Sequence, residues 1–500
     1  MLQPYIIPHN SPEKLGISAN SITTFLNAIK QNNIEMHTFK ILRHGQVAAE
    51  GAWSPYQLDD PHILFSLSKS ISSTAIGMAV QEGLLTVDDL LIDIFPEYVT
   101  EDIAVNMAEL RIRHILAMST GHDVETGAIQ RLEPDGNWIK AFFDTPIVHP
   151  PGTHFLYNSG GSYMLSAIIQ KITGFTLMDY VRPRLFDPLG IEYAHWETCP
   201  SGRSEGASGL HMNTDAIARI GLLYLQKGMW NGTRILSEAW VEEASSYHTN
   251  NNLNNNPNNE PDNNPPGDWK SGYGYQIWLC QYEGAYRGDG AFGQFCLVIP
   301  NKNAVIAITS GTSKMGKISE LIWEHLLPAF ASDEPILGQA AEEDGKALLS
   351  TIAGLAYAPT FVQSESSETL RISGRRYKLE PNTRGAHSVS FTFGDGGVCN
   401  FRIWDDRGEH LIGCGSDDWI IGQTMATEDE WVQRVEVPWK VAASGTWEDE
   451  HTYIMTWRFI ETTFVCTVTC QFNEDRVGID YTRNLTFDPY DFPTLIGRRL

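Results

Sequence analysis

Apolar residues first recur at helical spacing: Ile22, Phe25, Leu26 and Ile29 share one face of a helix. The period then changes. Two short runs at 38–42 and 47–52 read as strands, and His44-Gly45 between them is a hairpin turn signal. From about 64 to 200 the spacing is mostly helical. Gly83 closes one helix, and Leu84-Leu85-Thr86-Val87-Asp88-Asp89 opens the next unit. Strand texture returns after Tyr273, in runs at 275–281, 295–299 and 305–309 rich in Val, Ile and aromatics, before a helix at 317–330. Beyond Pro359 strict alternation takes over. Phe464, Cys466, Val468, Cys470 and Phe472 mark one face of a half-buried strand, and Val389, Phe391 and Phe393 mark another.

These textures predict a mixed α and β domain over 1–332, an acidic, Ala/Gly-rich linker over 333–358, and an all-β barrel or sandwich over 359–500. The stretch 250–267 holds ten asparagines and five prolines and glycines. It cannot bury apolar area and is expected to be a mobile loop. No internal repeat of fixed period is present.

Composition narrows the function. The 500 residues carry 36 Lys+Arg against 61 Asp+Glu, a formal net charge of −25. Such a surface repels nucleic acid and anionic lipid, so neither is an expected partner. No basic and apolar leader opens the chain, and no apolar run is long enough to span a bilayer. The seven cysteines are odd in number, scattered and without a CxxC pair. They read as reduced core residues of a cytoplasmic protein.

The first candidate chemistry is Ser66-Leu67-Ser68-Lys69. Residues three apart on a helix are neighbours, so the hydroxyl and the amine share a face. A serine becomes a nucleophile when a base takes its proton. A lysine can act as that base when burial or a nearby cation lowers its pKa. At a helix start, the Ser66 N–H also points at a developing oxyanion. A second match, Ser11-x-x-Lys14, sits in a polar segment beside Pro12. Ser66 instead follows the apolar run Ile63-Leu64-Phe65 and opens a helix of small residues that reads as buried.

With these residues the chain resembles the serine β-lactamase and penicillin-binding-protein superfamily. It looks like the class C β-lactamase-like branch, with family VIII carboxylesterases, D-aminopeptidases and 6-aminohexanoate-dimer hydrolase. The resemblance covers roughly 10–330. It is carried further by Gln81-Glu82-Gly83-Leu84-Leu85, by Arg113-His114-Ile115-Leu116-Ala117-Met118-Ser119-Thr120-Gly121, by Pro151-Gly152 ahead of Tyr157, and by Gly209-Leu210-His211-Met212. It implies an α/β (α+β) fold in which an antiparallel sheet meets a helical subdomain, with the smaller all-β domain following.

The resemblance also assigns roles. In Tyr157-Asn158-Ser159, Tyr157 matches the tyrosine that shares the general-base role and protonates the leaving group. Ser159 stands where the family has Asn. A hydroxyl is shorter than an amide and has one donor, which weakens β-lactam or peptide recognition and leaves ester or simple amide cleavage open. The third motif, Lys-Thr-Gly or His-x-Gly in the family, falls on Gly288-Asp289-Gly290. Gly290 fits the glycine that lets substrate approach the backbone, and the N–H of Ala291 would be the second oxyanion donor. The cation is missing at Gly288. Asp289 reads as a strand-edge aspartate making backbone hydrogen bonds, and Arg287 points away or toward the site.

Other chemistries lack their motifs. There is no HExxH and no P-loop, and no two of the 15 histidines lie within four residues of each other, so no metal is expected. Gly288-x-Gly290-x-x-Gly293 opens no helix, so it is no dinucleotide site and no cofactor is expected. The expectation is a serine hydrolase cleaving an ester, amide or peptide-like small molecule through an acyl-enzyme on Ser66, with Lys69 and Tyr157 as general base. The alternatives are a β-lactamase or D-amino-acid peptidase of the same fold, and a non-catalytic binding or scaffold protein that kept the fold. Oligomeric state is not legible.

Overall fold

The computed structural model describes residues 5–251, 268–330, 332–363, 365–426, 437–487 and 493–500. The expected Asn-rich loop therefore lies outside the described residues from 252 onward. The chain forms two compact units. The first is Met1–Ala52, Ile63–Ser310 and Lys314–Gly354; the second is Trp53–His62, Gly311–Ser313 and Leu355–Leu500.

In the first unit, Ser18 caps helix α1 (Ala19–Gln31) by accepting from the Ser21 N–H at 3.3 Å. The hairpin β1 (Met36–Arg43) and β2 (Gln46–Ala52) follows, turning through His44 at φ 51° and Gly45 at φ 72°. Helix α2 (Ser68–Gln81) is buried at every position from Ser68 to Ala79. Its small residues allow that, and two of its hydroxyls bond inside: Ser70 donates to the Gln276 carbonyl at 2.8 Å and Ser72 to the Gly206 carbonyl at 2.7 Å. Asn158 caps α3 (Ser159–Thr173), and α4 (Thr214–Leu225) follows. Four further strands join the hairpin in its sheet: β3 (Trp278–Leu279), β4 (Tyr286–Gly290), β5 (Gln294–Ile299) and β6 (Ala304–Ser310).

These six strands form one antiparallel sheet in the order β2-β1-β6-β5-β4-β3. β5 and β6 are buried along their whole length, which is why their sequences are continuous apolar runs rather than alternating ones. α4 packs on β5 and β6. α5 (Gln339–Ala353) packs on α1.

Three expectations change here. The run 275–281 forms only the two-residue strand β3. Gln276 adopts φ 59°, and its side-chain amide donates to the Leu116 carbonyl at 2.9 Å, so the chain turns instead of extending. The stretch 333–358 is not a plain linker: α5 buries Leu348, 2% exposed, within the first unit. Ser66 does not begin the α-helix; it sits in a 3₁₀ turn, Phe65–Leu67, just before α2.

The second unit carries a ten-stranded antiparallel sheet. Its strands are β7 (Arg375–Leu379), β8 (Ser388–Phe393), β9 (Cys399–Asp405), β10 (Gly408–Cys414), β11 (Ile420–Thr424), β12 (Trp439–Trp447), β13 (Thr452–Phe459), β14 (Val465–Asn473), β15 (Arg476–Arg483) and β16 (Leu495–Arg499). Their order is β10-β9-β8-β7-β16-β15-β14-β13-β12-β11. The ends meet, because Gly415, just past β10, bridges to Ser444 of β12, so the sheet closes as a barrel. Trp447, Tyr453, Phe391, Phe472 and Trp457 fill its interior. All seven cysteines are free and buried.

Candidate active site

The chemistry collects in the first unit, where the Phe65–Leu67 turn, α2, the start of α3 and the end of β4 converge. Ser66 is half-exposed, while Lys69 is 2% exposed. Lys69 Nζ lies 3.0 Å from Ser66 Oγ and donates to the Ala207 carbonyl at 2.8 Å. Burial pulls the Lys69 pKa down to about 7; Glu125 opposes that shift and Arg131 adds to it. At neutral pH the amine is therefore uncharged part of the time.

Tyr157 sits where the chain enters α3. Its ring centroid is 5.0 Å from Lys69 Nζ, and the Ser66 hydroxyl is a hydrogen-bonding neighbour of its phenol. The ring stacks on Trp278 at 5.5 Å and meets Tyr273 edge-on at 6.3 Å. Burial pushes the phenol above its ordinary range, Asp289 adds to the shift, and the Ser66 hydrogen bond opposes it. Tyr157 is thus a proton donor at neutral pH.

The third motif reaches the same cleft. A Cβ on Gly290 would sit 2.0 Å from the Leu64 carbonyl and 3.2 Å from the Leu67 nitrogen. Only glycine lets β4 lie that close to the turn carrying Ser66. Ala291, the half-exposed residue just beyond β4, is brought alongside. Two readings of this strand are revised. Among the described residues Asp289 pairs with side chains rather than backbone: its carboxylate accepts from Arg287 Nε at 3.0 Å and interacts with Trp269. Arg287 is buried and paired rather than facing the reacting groups. Gly288 has Ser70 Oγ where a side chain would go.

Ser159 is the first residue of α3, and its N–H donates to Glu125 Oε1 at 2.7 Å. Asn158 performs the capping, accepting from the N–H of Gly161 at 3.2 Å and from the Thr126 hydroxyl at 2.7 Å.

Sequence reading missed Glu125, whose carboxylate collects the N–H groups of Gly127, Ala128, Ser159 and Gly160. Its place just before Thr126 was an available capping signal. It also missed the Ala207 carbonyl and its loop. Ser166 holds that loop through the Ser204 carbonyl at 2.7 Å, and Ser72 holds it through Gly206. Glu205 in the same loop is raised to about 7 by burial, with Arg131 opposing. A backbone acceptor leaves no trace in sequence.

Comparison with known proteins gives the same direction. The lovastatin esterase of Penicillium rubens is 27% identical over 163 residues, covering 28% of this chain and 41% of that protein. The 6-aminohexanoate-dimer hydrolase of Paenarthrobacter ureafaciens is 25% identical over 250 residues, covering 46% of this chain and 63% of that protein. The matched part is thus less than two thirds of either relative. A solved structure from Bacillus anthracis, provisionally described as a 6-aminohexanoate-dimer hydrolase, shares the fold at a TM-score of 0.53 and 19% identity, over 66% of this chain and 88% of that one. Residues 30–326, more than half of the chain, match the beta-lactamase family, and the chain belongs to that family.

Proposed function

We propose that this protein is a serine hydrolase that cleaves an ester or amide bond of a small molecule through an acyl-enzyme on Ser66. The observation that carries the reading is the 3.0 Å approach of Lys69 Nζ to Ser66 Oγ, with the amine buried and its pKa near neutrality. A charged, solvated lysine could not take the serine proton. Here the neutral amine gives one N–H to the Ala207 carbonyl, which leaves its lone pair for the Ser66 hydroxyl.

Ser66 Oγ attacks the carbonyl carbon as its proton passes to Lys69. The N–H groups of Ser66 and Ala291 hold the developing oxyanion. Tyr157, protonated at neutral pH, gives a proton to the leaving group as the bond breaks, and Lys69 restores the phenol. Water then attacks the acyl-enzyme, with the Tyr157–Lys69 pair as base, and Ser66 is released. The names of the relatives, an esterase and an amide hydrolase, support this substrate range. Seven free, buried cysteines support a reducing compartment, and we place the protein in the cytoplasm.

The test combines labelling by a fluorophosphonate with a panel of p-nitrophenyl esters, anilides and nitrocefin. The expected result is labelling and ester or amide turnover that vanish in Ser66→Ala. An unlabelled wild-type protein inert on the whole panel would leave the scaffold alternative standing. Turnover of nitrocefin above the esters would make it a β-lactamase.

A further inference from the structure

Side chains alternate along β4, so Gly288 and Gly290 face one way and Arg287 and Asp289 the other. The glycine face is closed. A Cβ at Gly288 would lie 2.8 Å from Ser70 Oγ, so that position has no room for a cation-bearing side chain. On the other face Arg287 is 1% exposed, and its Nη2 is buried as well. Its Nε bonds Asp289 at 3.0 Å, its Nη1 lies 3.7 Å from Asp268, and the guanidinium lies over the Trp269 ring at 4.7 Å. Asp268 is itself held by Trp323 Nε1 at 2.7 Å and the Gln281 N–H at 2.8 Å.

Two carboxylates therefore share one enclosed guanidinium, placing acidic charge beside the strand that borders Ser66; burial raises the Asp289 pKa and Arg287 opposes that rise. That charge is felt by the reacting groups: Asp289 favours the protonated form of both Lys69 and Tyr157, and Glu125 acts with the same sign. A substrate carboxylate placed along this strand would meet a like charge in a partly water-excluded cleft, where repulsion is far stronger than in bulk water.

We infer that Asp289 is a specificity-determining residue that turns away donors carrying a carboxylate near the scissile bond and favours uncharged ones. The inference rests on the serine-hydrolase reading above and narrows its substrate class. Penicillins and peptides with a free C-terminus fall on the disfavoured side; neutral esters and amides fall on the favoured side.

Matched substrates test it. On the leaving-group side, 3-carboxyphenyl acetate is compared with 3-carbamoylphenyl acetate. On the acyl side, mono-4-nitrophenyl adipate is compared with 4-nitrophenyl adipamate. Each pair differs only in carboxylate against carboxamide, and kcat/KM is corrected for the uncatalysed rate. In the wild-type protein the carboxamide is expected to win by about tenfold or more in at least one pair. In Asp289→Asn that ratio is expected to collapse to within about threefold, chiefly through the KM of the carboxylate ester, whatever the absolute rate on the amide partner. Asp289→Thr repeats the measurement should the asparagine variant fold poorly. Wild-type ratios near one in both pairs overturn the inference without any variant. A tenfold ratio that survives both substitutions overturns the role of Asp289. A protein that hydrolyses neither member and is not labelled at Ser66 overturns the acyl-enzyme reading and the specificity with it. Turnover of neutral esters with flat ratios removes only the specificity.

Discussion

Phe65 and Phe292 meet edge to face, with ring centroids 5.7 Å apart and planes at 80°. Both hold left-handed backbone, at φ 45° and 63°. Such a conformation costs about 1–3 kcal/mol for a residue with a side chain. Phe65 precedes Ser66 and Phe292 follows Ala291, so one aromatic contact ties together the two backbone N–H groups proposed to hold the oxyanion. The strain is offset by burial, since the rings are 5% and 9% exposed.

The contact predicts the behaviour of Phe292→Leu. An aromatic pair is worth about 0.5–1.5 kcal/mol beyond its burial, so the variant should still fold with a modestly lower melting temperature. Its kcat on a p-nitrophenyl ester should fall several-fold with little change in KM, because Ala291 is less firmly placed. Steady-state kinetics beside a circular-dichroism melt checks this. An unchanged kcat would mean that the donors are set independently of the rings.

Gly290→Ala probes the same region from the other side. The added Cβ would overlap the Leu64 carbonyl at 2.0 Å, so β4 must move away from the Ser66 turn. Esterase activity and fluorophosphonate labelling should fall about 100-fold or more, the scale of losing one oxyanion donor. Normal labelling would show that the strand does not contribute.

Lys69→Arg and Lys69→Met separate base from anchor. Arginine keeps the charge but cannot release a proton near neutral pH. Both variants should lose nearly all turnover and labelling. An arginine variant that kept most of the activity would assign the base role to Tyr157 alone.

The pH profile follows from the same amine. Its ordinary pKa of 10.5 falls to about 7 on folding. Rising pH through about 7 creates the neutral base, so kcat/KM should climb across that region, with no alkaline fall from the Tyr157 phenol in the neutral range. Stability moves the same way. Between about 7 and 10.5 the unfolded chain holds a proton that the folded chain has released, so stability rises with pH over that window. Lys69→Met removes the penalty and should be more stable than wild type at pH 7, by up to about 3 kcal/mol, with the difference shrinking toward pH 10.5. Urea melts of the two proteins at pH 7 and 9.5 measure it. Equal stability at both would contradict the buried, depressed amine.

Truncation tests where the first unit ends. A chain stopped after residue 354 keeps α5 against α1, whereas one stopped at 330 loses it. The shorter chain should melt lower by about 4 °C or more. Equal melting would show that α5 adds nothing to that unit.

Local spacing made part of the site legible. Ser66 and Lys69 lie three apart, and the apolar run before them marked a buried helix start. Tyr157 and the Gly288–Ala291 strand needed the resemblance, because a lone tyrosine and a Gly-rich stretch have many other uses. Glu125 and the Ala207 carbonyl remained hidden, since their partners are brought up by a different part of the chain. The strand expected at 275–281 failed for a related reason: apolar alternation there was overridden by Gln276 bonding across to the carbonyls of Ile115 and Leu116.

By itself the sequence determined the period of each segment, the helix that follows Ser66, the alternation of the C-terminal strands and the excess of negative charge. These depend on neighbours within a turn or a strand, so composition and spacing are enough. The folded chain alone encloses Lys69, brings the Ala207 carbonyl to its N–H and pairs Arg287 with Asp289 and Asp268. It also closes the last strand runs into a barrel. Those outcomes turn on desolvation and on contacts between residues far apart in the chain, and an amine's proton affinity is a property of what surrounds it rather than of the residues beside it.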